Sequence, residues 1–173
     1  MINLDKHGIS YLKFKPISSW NDDDFVKLFD AIANEHAAPV VDLPFINENI
    51  ETLLSVSSCR KCGNCCRAGI MDDENASVMA CKEEIEAIAT ETNTGFEELV
   101  GKLIKHPTEK DAWCFPLPCM YYQDGSCRIY NVRPKVCCTY PLTGVAYDDI
   151  SYIAINLGCA YGKDIYKCLL KGK

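Results

Sequence analysis

The sequence lacks the features that mark several common protein classes. No apolar run approaches the roughly 18 residues that cross a membrane, and no basic stretch leads into an apolar one at the N-terminus, as in a secretory signal. The formal net charge is −6, whereas proteins that bind nucleic acid present basic surfaces to its phosphates. We therefore expect a cytoplasmic protein with no membrane span and no nucleic-acid partner.

Catalytic signatures are equally scarce. The chain has no phosphate-binding loop of the G-x-G-x-x-G type, no cysteine paired with a histidine as in a cysteine hydrolase, and no complete C-x3-C-x2-C set. Its histidines, His7, His36 and His106, have no ligand-like spacing, so we predict exposed or capping roles for them. The cysteines are therefore the candidate functional residues of this chain.

Cysteine is abundant, at 12 of 173 residues, and it is clustered. A two-residue gap between cysteines lets the backbone turn around a metal, and Gly63 supplies the permissive φ that such a turn needs. The first run, C-x2-C-x2-C-C, consists of Cys59, Cys62, Cys65 and Cys66, and a second block extends from Cys114 to Cys138.

Disulfides are the alternative to metal ligation. They are rare in the cytoplasm, where thiols stay reduced. The vicinal pairs Cys65–Cys66 and Cys137–Cys138 weaken the disulfide interpretation further, because a bridge between adjacent residues is strained. The cysteines therefore predict a metal or iron–sulfur protein.

The N-terminal part of the chain predicts helices. Residues 1–57 contain no cysteine, which indicates a helical packing segment. The cysteines of residues 58–173 indicate a metal-binding domain over that range. The acidic residues Asp22, Asp23 and Asp24 favour the start of a helix, and Ser19 or Asn21 is the candidate N-cap. A second short helix is predicted over residues 46–56. The first helix carries an apolar stripe at i, i+3, i+4 and i+7, formed by Phe25, Leu28, Phe29 and Ile32.

The cysteine-rich part predicts a mixture of helices and hairpins. Residues 82–89 and 94–105 have helix patterns. Turns at residues 124–125 and 148–149 predict β-hairpins, of which the first brings Cys119 and Cys127 together on adjacent strands. The predicted fold class is α+β, a small cysteine-rich domain with short helices and β-hairpins organised around a metal centre.

Several motifs in this part belong together. They are Cys59-x2-Cys62-Gly-x-Cys65-Cys66, Pro118-Cys119, Gly125-x-Cys127-x-Ile129-Tyr130, Arg133-Pro134-x2-Cys137-x2-Tyr140-Pro141, and Cys159 downstream. Residues 59 to about 160 thereby resemble the CxxCxxCC proteins, the YkgJ-like zinc- or iron-chelating domains. The resemblance implies a metal site with the ligands Cys59, Cys62, Cys65, Cys66, Cys119, Cys127, Cys137 and Cys159. Eight thiolates allow two four-ligand centres, or one centre with satellite cysteines.

The chain departs from the family at position 138, where Cys138 replaces the usual arginine and a cation beside the centre is lost. Arg133 either donates to a cluster sulfur or only sets a turn. Cysteines outside the matched set are Cys81, Cys114, Cys138 and Cys168. Free cysteine is a common small apolar residue, so we predict packing for Cys81 and auxiliary roles for Cys114 and Cys138.

Two metals fit this spacing. Cys59, Cys62 and Cys65 repeat the run by which bacterial ferredoxins hold three irons of a cubane, with a fourth ligand needed from the 119–137 block. Tetrahedral zinc fits nearly as well. We favour a 4Fe–4S cluster that serves electron transfer, or cluster or metal handling, for a partner enzyme. The alternatives are a zinc-stapled interaction module and, implied by the flagellin lysine methylase branch of the family, a methyl-transfer enzyme.

Overall fold

The structure is a computed structural model that describes residues 3–35, 38–67 and 77–172. Contacts divide the chain into two compact units. Unit 1 consists of residues 1–60 and 141–173, and unit 2 consists of residues 61–140. The two ends of the chain thus belong to one compact unit, and the middle of the chain forms the other. The domains predicted over 1–57 and 58–173 stay a prediction.

Helices and short strands alternate along the described ranges. The helices are α1 (Asp22–Asn34), α2 (Asn47–Leu54), α3 (Lys82–Glu91), α4 (Phe96–Val100), α5 (Lys135–Thr139) and α6 (Ala160–Leu170). The strands are β1 (Val40–Pro44), β2 (Ser77–Cys81), β3 (Ile104–Lys105), β4 (Ala112–Pro116), β5 (Tyr122–Gln123), β6 (Ser126–Cys127), β7 (Leu142–Tyr147) and β8 (Ile150–Ile155). Within these ranges, no helix combines the length and the apolar character needed to cross a membrane.

Unit 1 contains a three-stranded antiparallel sheet in the order β1-β8-β7. The predicted stripe of α1 is buried, with Phe25 at 2% and Ile32 at 1% exposure. Asn21 caps this helix reciprocally, because its Oδ1 accepts from the Asp24 N–H at 3.0 Å while its own N–H donates to the Asp24 carboxylate at 2.9 Å. The hairpin predicted at residues 148–149 is confirmed as the β7–β8 connection.

Unit 2 contains a second antiparallel sheet, in the order β2-β4-β3, and the small β5–β6 hairpin. Its core is a cluster of buried apolar side chains from Ala80, Ile85, Ile88, Ala89, Leu99, Phe115 and Ile129. The helix predicted through Lys105 is wrong beyond Val100, because Ile104 and Lys105 pair with β4 instead. Gly101, a poor helix former, ends α4. The small α+β class with short helices and hairpins is confirmed.

Candidate metal centre

The candidate metal-ligating cysteines of unit 2 lie on three short segments. The first is the cysteine loop, residues 62–67, which contains Cys62, Cys65 and Cys66. The second is the β5–β6 hairpin, with Cys119 shortly before it and Cys127 on β6. The third is α5, which carries Cys137 and Cys138. None of these segments is long enough to have a core of its own, so hydrogen bonds within and between them position the thiols.

The cysteine loop turns tightly at Gly63, whose φ of +72° confirms the predicted positive φ. A single 3-10 turn follows, in which the Cys66 N–H donates to the Gly63 carbonyl at 2.9 Å. The Arg67 guanidinium closes the loop, because it donates to the Cys62 carbonyl at 3.0 Å and to Asn64 Oδ1 at 2.9 Å. These hydrogen bonds define the conformation of the loop.

The hairpin predicted at residues 124–125 is confirmed, and it lies against the cysteine loop. The predicted place of Cys119 on one of its strands is wrong, because β5 begins only at Tyr122 and Cys127 pairs with that residue. Asp124 and Gly125 have φ of +49° and +77°, as a two-residue type I′ turn requires. The Cys119 N–H donates to the Cys66 carbonyl at 2.7 Å, and the Tyr122 N–H donates to the Cys119 carbonyl at 3.0 Å. Cys127 pairs with Tyr122 across the hairpin. These contacts bring Cys119 and Cys127 to the loop.

The start of α5 is fixed by two neighbours. The Pro134 carbonyl accepts from the Cys137 N–H at 2.8 Å. The Glu84 carboxylate of α3 accepts from the Lys135 N–H at 2.7 Å and from the Cys81 N–H at 2.9 Å. One carboxylate thus satisfies backbone donors at the starts of two helices, which otherwise lack partners there. Glu84 thereby holds the helix that carries Cys137.

The thiols of the three segments act on one another electrostatically. Burial raises the pKa of Cys137 to about 12, and the charges of Cys65, Cys119 and Cys127 add to the rise. Burial also raises the pKa of Cys119, with further contributions from Cys127 and Cys65. The pKa of Cys66 is raised first by its hydrogen bond with Cys65 and then by burial. The charge of Cys138 also raises the pKa of Cys137. As anions these six thiols would repel one another, and a bound cation would relieve that repulsion.

Cys65 differs from the others, because its pKa is lowered to about 7. The first cause is the hydrogen bond with the Cys66 thiol, at a sulfur–sulfur distance of 3.9 Å, and the charge of Arg133 contributes. Arg133 lies 3.8 Å from the centre of the Tyr130 ring and donates to the Tyr130 carbonyl at 2.5 Å. Arg133 therefore lowers the pKa of Cys65 through its charge, and it also stabilises the turn at residues 130–133.

Cys59 and Cys159 belong to unit 1. Cys159 is buried and is the N-cap residue of α6. The segment around Cys59 is attached to the same helix, because Ser57 Oγ and Arg60 Nη2 donate to Asp164 Oδ2 at 2.9 Å and 3.0 Å. Unit 1 thus holds the Cys59 segment on the helix that begins after Cys159.

The cysteines outside the matched set have different surroundings. Cys81 is exposed and caps α3, so the predicted packing role is wrong. Cys114 is buried in the centre of its sheet, opposite Met79 of β2 and Ile104 of β3. Cys138 is exposed, with its thiol 3.6 Å from the Arg133 carbonyl. Cys168 lies half-buried on α6.

The histidines take other roles. His106 Nδ1 accepts from the Glu109 N–H at 3.0 Å in the connection between β3 and β4. His7 pairs with Glu35 at 2.8 Å. His36 lies outside the described residues.

The donor chemistry of unit 2 fits a thiophilic metal. Thiolates are the soft ligands that zinc and iron–sulfur clusters take, and the six coupled thiols supply more than the four such a centre needs. Among residues 3–35, 38–67 and 77–172, no three Cys, His, Asp or Glu side chains already form a metal-binding arrangement.

Three further residues of the site carry little signal in the sequence. Tyr122 and Arg67 contact the cysteine loop, and the Tyr122 contact joins residues 60 positions apart. Glu84 lies three positions after Cys81, which is the spacing of a capping box. A cysteine in the cap position conceals that signal, because serine and threonine are the usual cap residues.

Comparison with known proteins agrees with this site. The family model CxxCxxCC, described as a "putative zinc- or iron-chelating domain", matches residues 58–160. No curated protein and no solved structure matches the chain. The matched range is more than half of the 173 residues and contains the cysteine loop, the hairpin and α5. The protein is therefore a metal-binding protein with a cysteine cluster, and the chain belongs to the CxxCxxCC family.

Proposed function

We propose that the chain binds an iron–sulfur cluster of the four-iron type and serves electron transfer, or cluster or metal handling, for a partner enzyme in the cytoplasm. The observation that carries this proposal is the convergence of cysteine-bearing segments in unit 2, where the Cys119 N–H donates to the Cys66 carbonyl at 2.7 Å and the Cys65 and Cys66 sulfurs lie 3.9 Å apart. Such a thiolate-only donor set is the usual one for iron–sulfur clusters. The ligands are drawn from Cys59, Cys62, Cys65, Cys66, Cys119, Cys127, Cys137 and Cys159.

The position of the thiols supports a role toward a partner. Cys62 and Cys65 are exposed, whereas Cys66, Cys119 and Cys137 are partly buried. A cluster held there lies close enough to the surface for a partner to approach it. The excess of thiols over four ligands supports the handling role, because an additional thiol can replace a ligand when the metal is passed on.

Cations border the site of this acidic chain. The Lys61 Nζ lies 4.8 Å from the centre of the Tyr130 ring, on which Arg133 also packs, and Arg67 lies 5.6 Å from the Tyr122 ring. The whole chain carries a net charge of −6, so Lys61, Arg67 and Arg133 are basic groups within an acidic chain. Basic groups beside a site help to steer association with an acidic partner surface.

Metal and sulfide analysis of protein purified without oxygen tests the proposal. We expect about four irons and four acid-labile sulfides per chain, a broad visible absorption, and an electron-resonance signal on reduction. Colourless protein that contains zinc and neither iron nor sulfide would overturn the iron–sulfur assignment.

One distance favours zinc as the second candidate. Four sulfurs at about 2.3 Å from a tetrahedral zinc are about 3.8 Å apart, and the Cys65 and Cys66 sulfurs are 3.9 Å apart. In this case the chain is a zinc-stapled interaction module without a redox role. Zinc at one ion per chain, together with loss of cooperative unfolding on chelation, would establish this second function.

A further inference from the structure

Tyr122 contacts the cysteine loop with both its hydroxyl and its ring. The hydroxyl donates to the Cys62 carbonyl at 3.2 Å, beside the Arg67 guanidinium, which donates to the same oxygen at 3.0 Å. The guanidinium also lies 5.6 Å from the centre of the Tyr122 ring. The oxygen that precedes Gly63 in the loop is therefore held by two donors, and one of them comes from the β5–β6 hairpin.

The ring packs directly on Gly63. A Cβ added at this glycine would lie 1.9 Å from Tyr122 Cζ and 2.1 Å from the hydroxyl oxygen. Real Cβ atoms do not approach other atoms so closely, so any side chain at position 63 would displace the ring or the loop. Gly63 is also buried, whereas Tyr122 is half-buried. The glycine thus serves two purposes: it allows the positive φ, and it leaves room for the tyrosine.

Tyr122 is joined to the other cysteines as well. Its N–H donates to the Cys119 carbonyl at 3.0 Å, and it is the cross-strand partner of Cys127. A single residue therefore makes contact with the loop of Cys62, the segment of Cys119 and the strand of Cys127.

We propose that Tyr122 is a positioning residue of the metal centre, which sets the cysteine loop and the hairpin at the spacing that their thiols need for a shared metal. This inference rests on the proposed function, since it assigns a role within the same thiolate site. Without the Tyr122 ring and hydroxyl, the loop loses its hairpin contact on this side, so the thiols fit a metal less well and release it faster.

Cobalt(II) binding to reduced, metal-free protein provides the test, because thiolate-to-cobalt absorption bands report how many thiolates bind and in what geometry. We expect Tyr122→Phe, which loses one hydrogen bond, to release cobalt about two- to tenfold faster. We expect Tyr122→Ala to release it on the order of a hundredfold faster and with altered bands. Tyr121→Phe is the matched control, because the neighbouring ring packs on Phe115 and should leave the bands and the release rate unchanged.

A pair of glycine variants separates backbone strain from the ring contact. Gly63→Ala and Gly125→Ala both place alanine at positive φ, +72° and +77°, but only the first collides with a side chain, since nothing lies within 4 Å of a Cβ at position 125. We expect Gly63→Ala to disturb cobalt binding more than Gly125→Ala. The excess should largely disappear in a Tyr122→Ala background.

The outcomes distinguish this inference from the proposed function. Wild-type protein without thiolate-to-cobalt bands would overturn the thiolate centre and this inference with it. Wild-type bands together with unchanged bands and release rates in Tyr122→Phe, Tyr122→Ala and Gly63→Ala would overturn the positioning role alone. Each variant is checked for wild-type circular dichroism in the metal-free state, so that a folded variant with altered bands supports the positioning role.

Discussion

Replacement of single cysteines by serine should divide the twelve thiols into two classes. Serine is close to cysteine in size but is a poor ligand for soft metals, so the change removes coordination and leaves the volume almost unaltered. The sharpest comparison is between Cys119→Ser and Cys81→Ser. Cys119 is half-buried beside the cysteine loop, whereas Cys81 is exposed at the start of α3.

The energies of metal ligation and of helix capping set the expected size of each effect. Binding of zinc by four thiolate or imidazole ligands contributes about 10–16 kcal/mol, so one ligand corresponds to about 2.5–4 kcal/mol and its loss to a roughly 100- to 1,000-fold weaker affinity. Cys81→Ser places a better N-cap where Cys81 and Glu84 already form a capping box. We therefore expect its unfolding free energy to be unchanged or higher by up to ~1 kcal/mol.

Metal content per chain and urea unfolding with and without a chelator measure both effects. Cys119→Ser should bind metal roughly 100- to 1,000-fold more weakly and unfold at a lower urea concentration than the metal-loaded wild type, because ligation energy is also folding energy. Cys81→Ser should retain metal and respond to the chelator as the wild type does. Cys62→Ser and Cys168→Ser form a second pair of the same design. The assignment is refuted if Cys81→Ser empties the site while Cys119→Ser and Cys62→Ser keep it full.

Three other predictions follow from the geometry. The pKa of Cys65 is lowered to about 7, so its thiol is about nine-tenths protonated at pH 6 and one-tenth at pH 8. The number of protons released on metal binding should therefore fall by about 0.8 over that range. Calorimetry in buffers of different ionisation enthalpy measures this number, and a constant release contradicts the prediction. Arg133→Gln should raise the pKa of Cys65, seen as an upward shift in the pH profile of thiol alkylation in metal-free protein. Arg128→Gln, which loses a 2.6 Å pair with Asp124, is the control and should shift that profile less. Gly162→Ala should lower the free energy of unfolding by about 1–3 kcal/mol, because the new Cβ would lie 2.2 Å from the Asn156 carbonyl oxygen. Gly95→Ala is the control, since the atom nearest to a Cβ there is 3.9 Å away. Equal urea midpoints for the two variants would contradict this prediction.

The sequence by itself determined the elements whose causes lie within a few residues. The acids and the stripe of α1 determined a helix because each signal acts within one or two turns. Asp124 and Gly125 determined a hairpin because a two-residue turn depends on its own φ angles. The metal-binding character was also determined at this level, since the softness of thiolates is a property of the residue and the matched spacing brings several of them together.

Tertiary structure alone decided which residues meet. Ile104 and Lys105 follow a helix pattern, yet they form a strand because β4 supplies pairing partners that the local sequence does not show. These partners lie eight to ten positions further along the chain, beyond the reach of the helix pattern. Cys81 lies between a strand and a helix, and only the structure shows that it is exposed.

The same reason governs the site. Spacing showed that the cysteine loop can turn around a metal, but the contacts of Cys119 and Tyr122 with that loop join residues more than 50 positions apart. Charge repulsion among Cys65, Cys119, Cys127 and Cys137 likewise depends on distances through space. The sequence therefore determined what kind of ligand the protein offers, and the fold decided which of those ligands stand next to one another.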